Sequence, residues 1–326
     1  MLIATPNLCL DRTVRVAEVV PGGVLRARSV EVTAGGKGVN VARVLRTFDR
    51  SAPIVGLVAE HDGAELENLL AGEGATLVPV PATGRVRQAT IMIEEDRDRI
   101  TVLNEPGTPI GPEVWSAYAG AVAARLKDAR VLTCSGSLPP GAPLDGYGRL
   151  AELARENGVL SIVDSAPGPL AASLAHRPDL VTPNLEEAEA ALAGDLGDVL
   201  SASDEDVIGR AGRAALALCE RGARRAAVTA GGDGVAFAES DGRKIHWIPA
   251  ARINLVSAVG AGDSFVAGVA LDLLDLPVLP PRTDQWLAAL RRGVATAGAS
   301  CEQVRAGGVD PARVAELLES VREKAS

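Results

Sequence analysis

The sequence predicts an α/β fold, a doubly wound and mostly parallel β-sheet with helices on both faces and a small β-sheet as a lid. Short β-like runs alternate with helical stretches, which is typical of a parallel sheet covered by helices. Polar and apolar residues alternate instead over about 12–34 and 83–106, and these stretches are expected to pair as a small antiparallel sheet. Such an insertion would cover a site at the carboxyl ends of the parallel strands. The β-like runs are LIAT near Leu2, IVGLVA from Ile54, VLTCS from Val131, LSIVD from Leu160, LVTP from Leu180 and AAVTA from Ala226.

The composition predicts a large core, because 47% of the 326 residues are hydrophobic and 23% are charged. One large domain over 1–326 with an appendage fits this length better than two equal domains. The net charge of −9 and the pI near 5.0 disfavour nucleic acid and anionic membranes as partners, since both require clustered Lys and Arg. Any anionic ligand must therefore meet a local cationic pocket. The acidic, turn-rich stretch 194–206 predicts a surface loop.

The cysteines and the first residues bear on the cellular compartment. The four cysteines lie far apart without a zinc-binding or disulfide pattern, so we expect reduced core residues. The chain reaches Asp11 and Arg12 before a signal-peptide core could be completed, and no apolar run approaches the roughly 20 residues that span a bilayer. A cytoplasmic location is the default expectation. The cysteines are Cys9, Cys134, Cys219 and Cys301.

A first glycine-rich segment, AGGKGVNVARVLRTF, opens a predicted helix. Gly35, Gly36 and Gly38 precede apolar residues that recur at helical spacing. Glycines let backbone amides approach a ligand, the helix N-terminus favours anionic groups, and Lys37 adds a charge. The spacing matches neither GxGxxG nor a P-loop. A tight strand-to-helix connection with an exposed lysine explains the segment equally well.

A second segment, VSAVGAGDSF, places Gly260, Ala261, Gly262 and Asp263 at the start of an apolar helix. Amides at a helix N-terminus can stabilise the charge on a transferring phosphoryl group. Asp263 can accept a proton from an attacking hydroxyl, and we expect the helix terminus to lower its pKa. Phosphoryl transfer tolerates so weak a base, because its transition state is loose. Taken alone, Asp263 is explained as well by an ordinary helix cap.

Together, the two segments resemble the ribokinase-like, or PfkB, family of carbohydrate kinases in order and separation. SGSLPPG from Ser135, NEPG from Asn104 and the TPNLEEAE segment extend the resemblance over nearly the whole chain. It is closest to the branch that phosphorylates sugar phosphates, whose usual members are 1-phosphofructokinase and tagatose-6-phosphate kinase. The resemblance implies a ribokinase-like fold, ATP as donor and Mg²⁺ as cofactor, and it leaves open whether a monovalent cation is needed.

The resemblance also implies residue roles on the acceptor side. Asp263 would be the base, with the amides of Gly260, Ala261 and Gly262 as an anion hole. Asp11 resembles the aspartate that binds sugar hydroxyls, and a carboxylate suits this role because it accepts from two hydroxyls at once. Cationic groups and a serine would hold the phosphate already on the substrate. The remaining substrate-binding residues implied are Gly35, Gly36 and Asn40 for the sugar, and Arg26, Lys37, Arg87 and Ser137 for its phosphate. The alternative is that Arg26 and Arg87 are solvated lid residues, since Arg is mostly exposed.

On the nucleotide side, Asn184 and Glu187 resemble the NxxE element that organises magnesium, in part through water. The spacing is also that of ordinary polar residues at a helix start. The VTAGGDG segment resembles the turn that lies along ATP, with Gly262 completing the site. Because aromatic residues are few, we expect aliphatic side chains and backbone to hold the adenine. The nucleotide-binding residues implied are Asn184, Thr229, Gly231, Gly232, Gly234 and Gly262.

Several positions depart from the family pattern. Val86 and Ala89 replace a Thr and an Asn of the branch, which concerns sugar contacts. Thr182 replaces a Lys near the nucleotide phosphates, and Ala258 replaces a Thr ahead of GAGD. These departures leave Asp263 and its neighbouring glycines in place.

Three hypotheses follow. The first is ATP-dependent phosphorylation of a sugar phosphate, with fructose 1-phosphate giving fructose 1,6-bisphosphate, or with tagatose 6-phosphate or fructose 6-phosphate as acceptor. The second is a kinase of an unphosphorylated sugar or nucleoside, which would leave three cations facing nothing. The third is a non-catalytic sensor of sugar or nucleotide, motivated by Thr182 and Ala89. A dehydrogenase is disfavoured by the missing GxGxxG. The apolar face of the predicted lid suggests a homodimer.

Overall fold

A computed structural model describes residues 1–97, 99–193, 206–242 and 244–325. These residues form two β-sheets and a set of helices. The strands are β1 (Leu2–Ala4), β2 (Cys9–Val16), β3 (Ser29–Gly35), β4 (Ile54–His61), β5 (Leu77–Arg85), β6 (Arg87–Glu94), β7 (Arg99–Asn104), β8 (Val131–Ser135), β9 (Leu160–Asp164), β10 (Leu180–Val181), β11 (Arg225–Thr229), β12 (Gly234–Glu239) and β13 (Ile245–Pro249). The helices are α1 (Lys37–Thr47), α2 (Gly63–Gly72), α3 (Pro112–Leu126), α4 (Gly146–Glu156), α5 (Pro167–Ser173), α6 (Leu185–Ala191), α7 (Val207–Glu220), α8 (Ala261–Asp275), α9 (Thr283–Cys301) and α10 (Pro311–Ala325).

The larger sheet is mostly parallel, as predicted. Its strand order over the described residues is β13-β12-β11-β10-β9-β8-β1-β4-β5. Every pair from β11 to β5 is parallel, whereas β12 and β13 are added antiparallel at one edge. The six predicted runs are all strands of this sheet. Because β1 lies between β8 and β4, the order reverses along the sheet, which is where α/β folds bind ligands.

Helices cover both faces of this sheet and bury two separate apolar clusters. One cluster includes side chains of α1, α8 and α9, and the other includes side chains of α3, α4 and α7. The strands between them, such as β8 and β9, are buried at every position, as a strand covered on both faces must be. The doubly wound α/β fold class is therefore confirmed.

The predicted second sheet also exists, with the order β3-β2-β6-β7. Strands β2 and β3 pair antiparallel, and β6 and β7 pair antiparallel. The central pair, β2 with β6, is parallel, so the expectation of a wholly antiparallel sheet is wrong. These strands occupy residues 9–16, 29–35, 87–94 and 99–104, so the sheet begins before the predicted residue 12. That this sheet works as a lid remains a prediction.

Helix α8 is held firmly because small residues bring it close to α9. A Cβ on Gly268 would lie 2.8 Å from the Gly293 Cα, and a Cβ on Gly293 would lie 2.8 Å from the Phe265 ring. Close backbone approach of this kind fixes two helices without long, adaptable side chains between them. The N-terminus of α8 is therefore a rigid part of the fold.

Other sequence expectations can be placed as well. All four cysteines are free and buried, as expected. Over the described parts of the chain, no helix has the length and apolar character needed to cross a membrane. The predicted surface loop at 194–206 lies outside the described residues except for its last position.

Candidate active site

The GAGD segment forms the N-terminus of α8, as the sequence predicted. Gly260 precedes the helix with a φ of 80°, a conformation that glycine adopts without strain. A Cβ at this position would also lie 2.9 Å from the Ala306 Cβ. The Ala261 N–H donates to the Ala258 carbonyl at 3.2 Å, so this amide of the predicted anion hole is already engaged. Gly262 and Asp263, also in the first turn, have amides with no carbonyl four residues earlier inside the helix.

Asp263 is 5% exposed and joins the two glycine-rich segments. The Asn40 Nδ2 donates to the Asp263 Oδ2 at 2.7 Å, although 223 positions separate the two residues. Asn40 is carried by α1, which begins directly after Gly36. Two glycine turns that are unremarkable alone thus converge on one carboxylate, and a surface helix cap does not explain this burial.

The pKa of Asp263 is raised to about 7, chiefly by burial. The charge of Lys37 and the Asn40 hydrogen bond lower this pKa, whereas the charges of Asp164 and Glu187 raise it. The sequence-based expectation that the helix terminus would leave Asp263 with a lowered pKa is therefore wrong. Burial among other carboxylates outweighs the helix terminus. A carboxylate with a pKa near neutrality is well suited to general-base catalysis.

Lys37 lies among these carboxylates. Its Nζ is 3.2 Å from the Asp164 Oδ1 and 3.7 Å from the Glu187 Oε1. Burial lowers the pKa of Lys37, but the three neighbouring carboxylates, Asp263 included, raise it overall, so the ammonium stays charged. Sequence reasoning missed Asp164. The available signal was an Asp at the carboxyl end of the predicted strand LSIVD, where parallel sheets place ligand-binding residues.

The predicted sugar-binding floor is formed by β2 and β3. Asp11 accepts a hydrogen bond from the Cys9 Sγ at 3.1 Å and lies directly against Gly35. A Cβ on Gly35 would lie only 2.0 Å from the Asp11 Oδ1, so glycine is required there. Burial raises the pKa of Asp11, while the Cys9 hydrogen bond and the charges of Arg43 and Arg87 lower it. Asp11 is thus held against Gly35, whereas a Cβ on Gly36 would lie nearest to atoms of Leu8 and Asn7. The sugar-binding role of these residues remains a prediction.

Arg87 and Ser137 lie on either side of Asn7. The Arg87 Nε donates to the Asn7 carbonyl at 3.0 Å, and the Asn7 Nδ2 donates to the Ser137 Oγ at 3.0 Å. Asn7 also donates to the Pro106 carbonyl at 3.1 Å, which ties in the NEPG segment. Asn7 was not among the predicted site residues.

The predicted group of three cations is not brought together within one copy of the chain, and this expectation requires correction. Lys37 pairs with Asp164 and Glu187 instead of facing Arg87. Arg26 is exposed beyond the far end of the β2–β3 hairpin. The register pairs Ser29 with Arg15 and Gly35 with Cys9, which places that end about 20 Å from Gly35 at ~3.3 Å per residue.

A cavity of about 660 Å³ lies beside the start of α8 and is lined there by Ala261, Gly262 and Phe265. The VTAGGDG turn between β11 and β12 forms one wall, and the start of α8 with part of α9 forms another. Its lining is mainly aliphatic with Phe265 as its aromatic member, which agrees with the expectation for an adenine site. Lining residues include Thr229, Gly231, Gly232, Gly234, Ala258 and Gly262.

Asn184 and Glu187 form a capping box at the start of α6. The Asn184 Oδ1 accepts from the Glu187 N–H at 2.8 Å, and the Glu187 Oε2 accepts from the Asn184 N–H at 3.0 Å. Asn184 is also bridged to Thr229, which places it beside the wall of the cavity. The pair is thus a structural cap, and the Glu187 Oε1 additionally approaches Lys37 in the carboxylate cluster.

The glycines of the VTAGGDG turn are present for different structural reasons. A Cβ on Gly234 would lie 2.2 Å from the Ile248 carbonyl oxygen, so the hairpin itself requires this glycine. Gly231 and Gly232 have no atom within 4 Å of such a Cβ. Gly232 therefore leaves open space in the cavity, and Gly231 additionally has a φ of 54°.

Comparison with known proteins agrees with this arrangement. Residues 4–313 match the family described as pfkB family carbohydrate kinase. A 1-phosphofructokinase of Xanthomonas campestris pv. campestris is 32% identical over 278 residues, 84% of each chain. A 1-phosphofructokinase of Rhodobacter capsulatus is 32% identical over 265 residues, 81% of this chain and 80% of that protein.

Solved structures show the same likeness. The structure of phosphofructokinase-2 from Escherichia coli in complex with potassium has a TM-score of 0.85 and 26% identity, with 99% of both chains covered. Ribokinase from Thermotoga maritima, at 19% identity and a TM-score of 0.72 over 99% of this chain and 98% of that one, shares the fold. The family match covers most of the chain and includes both glycine-rich segments and Asp263. The chain belongs to the pfkB family of carbohydrate kinases.

Proposed function

We propose that the protein transfers the γ-phosphoryl group of ATP to fructose 1-phosphate, with fructose 1,6-bisphosphate as the product. The observation that carries this proposal is the buried Asp263, which accepts a hydrogen bond from Asn40 on α1 and directly follows Gly262 in the lining of the aliphatic cavity. A base in that place can meet an acceptor hydroxyl from one side and a phosphoryl group from the other. The choice of acceptor is supported by relatives named 1-phosphofructokinase at 28–32% identity.

Asp263 is proposed as the general base. With a pKa of about 7, it is partly ionised at neutral pH and can accept the proton of the attacking hydroxyl. The free amides at the start of α8 can donate to the transferring group, and the charged Lys37 can stabilise its negative charge. In this assignment, the base and the groups that stabilise negative charge belong to one buried region.

The carboxylate cluster also suits Mg²⁺, which prefers oxygen ligands and retains much of its water. The Asp164 Oδ2 is buried without a hydrogen-bond partner among the described residues, so an acceptor oxygen is available there. We propose that Asn184, Glu187 and Asp164 hold the ion, largely through water. When bound, Mg²⁺ would neutralise part of the negative charge of the donor phosphates.

We assign the acceptor's own phosphate to Arg87 and Ser137. The chain of hydrogen bonds through Asn7 places a guanidinium and a hydroxyl on neighbouring sides of one residue. Both groups can donate to phosphate oxygens. Asp11 would then accept from the sugar hydroxyls, while Ala89, opposite Asp11 across β2 and β6, leaves space without a hydrogen-bonding group.

We propose that the chain is a single kinase unit whose four-stranded sheet closes over the acceptor and joins two copies. The face that carries Asp11 continues into an apolar patch, because Ile91 pairs with Val102 and Ile93 pairs with Ile100. Val102 is 43% exposed and Ile100 is 44% exposed. A second copy that packs on this patch would exclude water from the apolar side chains of both copies. A tetrameric inhibited form is known for phosphofructokinase-2 from Escherichia coli.

The cytoplasm is the proposed place of action.

Fructose 6-phosphate is the second candidate acceptor. A structure of phosphofructokinase-2 from Escherichia coli in complex with fructose-6-phosphate has a TM-score of 0.81 and 26% identity. The Arg87 and Ser137 pair can bind a phosphate on either end of the sugar. We also propose that the protein binds a monovalent cation, because phosphofructokinase-2 from Escherichia coli has been solved in complex with potassium.

The decisive experiment measures Mg²⁺-dependent release of ADP from ATP with fructose 1-phosphate, fructose 6-phosphate, tagatose 6-phosphate, fructose, ribose and adenosine. We expect the highest kcat/KM with fructose 1-phosphate and a decrease of about 10²–10⁴-fold in kcat for Asp263→Asn. Asp275→Asn, at the exposed end of the same helix, is the matched control and should retain native activity. Replacing potassium chloride by tetramethylammonium chloride tests the monovalent cation.

Three results would contradict the proposal. Preference for fructose 6-phosphate, or for an unphosphorylated sugar or nucleoside, would move the acceptor assignment. Turnover that survives Asp263→Asn would contradict the assignment of Asp263 as the general base. Binding of ATP and sugar phosphate without any turnover in the native chain would identify a sensor.

A further inference from the structure

Asn40 is held from the side opposite to Asp263. Its Nδ2 donates to Asp263, whereas its Oδ1 accepts a hydrogen bond from the Arg43 Nη1 at 2.7 Å. A carboxamide has one accepting oxygen and one donating nitrogen. Because Arg43 can only donate, it must meet the oxygen, and the nitrogen is then turned toward Asp263.

Arg43 is itself fixed by Glu73, which directly follows α2. The Arg43 Nε is 2.7 Å from the Glu73 Oε2, and the Nη2 is 2.8 Å from the Glu73 Oε1. Arg43 is 11% exposed and Glu73 is 18% exposed at their side chains. Arg305 approaches the same carboxylate at 2.6 Å from a more exposed position, and these two arginines lower the pKa of Glu73 against the effect of its burial. A two-pronged, largely buried pair of this kind fixes a guanidinium in one orientation.

We propose that Arg43, fixed by Glu73, is a positioning residue that keeps Asn40 turned as a hydrogen-bond donor toward Asp263. This inference rests on the proposed role of Asp263 as base. Arg43 acts on Asp263 through Asn40, while its charge also lowers the pKa of Asp11. In its absence the Asn40 amide can rotate, and its oxygen can then face the Asp263 carboxylate.

The consequence is a shift in the pH range of activity. The Asn40 hydrogen bond favours the ionised form of Asp263, so losing it raises the pKa of Asp263 above its native value near 7. The other charged groups facing Asp263 are Lys37 on α1, Asp164 at the end of β9 and Glu187 on α6. None of these three groups is altered by a change at Arg43, so a shift can be assigned to the Asn40 contact.

The test compares the native chain with Arg43→Met and Arg43→Lys in full pH profiles of kcat. For Arg43→Met we expect the acid limb to move up by about one pH unit, with about fivefold lower kcat at pH 7 and recovery above pH 9. Arg43→Lys, which can still donate one hydrogen bond, should lie between the two and is the variant expected to fold if Arg43→Met does not. Arg305→Met is the matched control, because it removes the other partner of Glu73 without touching Asn40.

A double-mutant cycle isolates the route. If Arg43 acts through Asn40, adding Arg43→Met to Asn40→Ala should not move the acid limb further. A uniform loss of kcat at every pH would show that Arg43 supports packing alone. A further shift in the double variant would show that Arg43 acts by a route other than Asn40, and either result would overturn the inference.

A second measurement is independent of turnover. The ¹³C carboxyl resonance of Asp263, identified by its loss in Asp263→Asn, should titrate at higher pH in the Arg43 variants than in the native chain. An unchanged titration would overturn the inference. If the native chain shows no turnover, the proposed function itself is contradicted. Failure of the Arg43 inference and failure of the proposed function can therefore be distinguished.

Discussion

The two sides of the site use glycine for opposite reasons. On the Asp11 side, a Cβ on Gly35 would lie 2.0 Å from the Asp11 carboxylate, and one on Gly38 would lie 2.6 Å from the Thr5 side chain. On the cavity side, a Cβ on Gly232 or Gly262 would meet no atom within 4 Å. Glycines of the first kind are demanded by the packing of the protein itself. Glycines of the second kind keep space free for another molecule, and the difference predicts how substitutions divide between stability and activity.

Among these glycines, the largest effect is expected for Gly35→Ala. The added methyl group and the Asp11 carboxylate cannot share their present positions, so Asp11 must turn away from Cys9 and from the sugar. We expect kcat/KM for the sugar phosphate to fall by about 10²–10³-fold, equivalent to ~3–4 kcal/mol. The free energy of unfolding should also fall, by about 1–3 kcal/mol, because the change overfills a packed site. Steady-state kinetics and denaturant unfolding measure the two quantities.

The control for this prediction is the double variant Asp11→Ala with Gly35→Ala. Removing the carboxylate gives the new methyl group room, so the stability lost in Gly35→Ala should largely return while the activity stays low. Recovery of activity, or no recovery of stability, would mean that Gly35 is not present because of Asp11.

The sequence was most informative where chemistry and local pattern coincide. Six of the seven parallel strands that the structure describes, the glycine turn before α1 and the GAGD start of α8 were predicted, because hydrophobic spacing and glycine act over a few residues. The parallel strand β5 was not among the predicted runs. The meeting of Asn40 with Asp263 was implied only by the family resemblance. The antiparallel hairpin of β12 and β13 was not predicted, since edge strands of this kind lack a distinct short-range signal.

Pairing over long separations explains what sequence reasoning could not supply. Lys37 has the appearance of a free cation in the sequence, and its partners Asp164 and Glu187 become its neighbours only when the sheet is assembled. The position of Arg26 depends on the register of β2 with β3, which the residue pattern leaves undetermined. Burial of Asp263, which reverses the expected direction of its pKa, depends on the whole packed site.

A smaller effect on activity, with the opposite effect on stability, is expected for Gly262→Ala. The methyl group enters open space beside the first amides of α8, so it should obstruct the transferring phosphoryl group and lower kcat by about 10²-fold. Alanine is favoured over glycine within a helix, so the free energy of unfolding should rise by about 0.5–1 kcal/mol. Gly260→Ala is the contrasting variant, because its φ of 80° and the contact with Ala306 make it destabilising. Equal losses of stability in both variants would contradict the proposed distinction.

The smallest effect is expected for Gly232→Ala, and the same turn supplies its control. Gly232 lines the cavity with open space beside it, so a methyl group should raise the KM for ATP about threefold, or ~0.7 kcal/mol, and leave kcat and stability unchanged. Gly234→Ala, two residues later, brings a Cβ to 2.2 Å from the Ile248 carbonyl oxygen at a φ of 136°, so this variant should lose about 2 kcal/mol of stability. ATP-dependent kinetics measure the KM of the Gly232→Ala and Gly234→Ala variants, and thermal unfolding measures their stability. A change in KM for the sugar phosphate instead of ATP would place the nucleotide elsewhere and make the open cavity a separate feature of the fold.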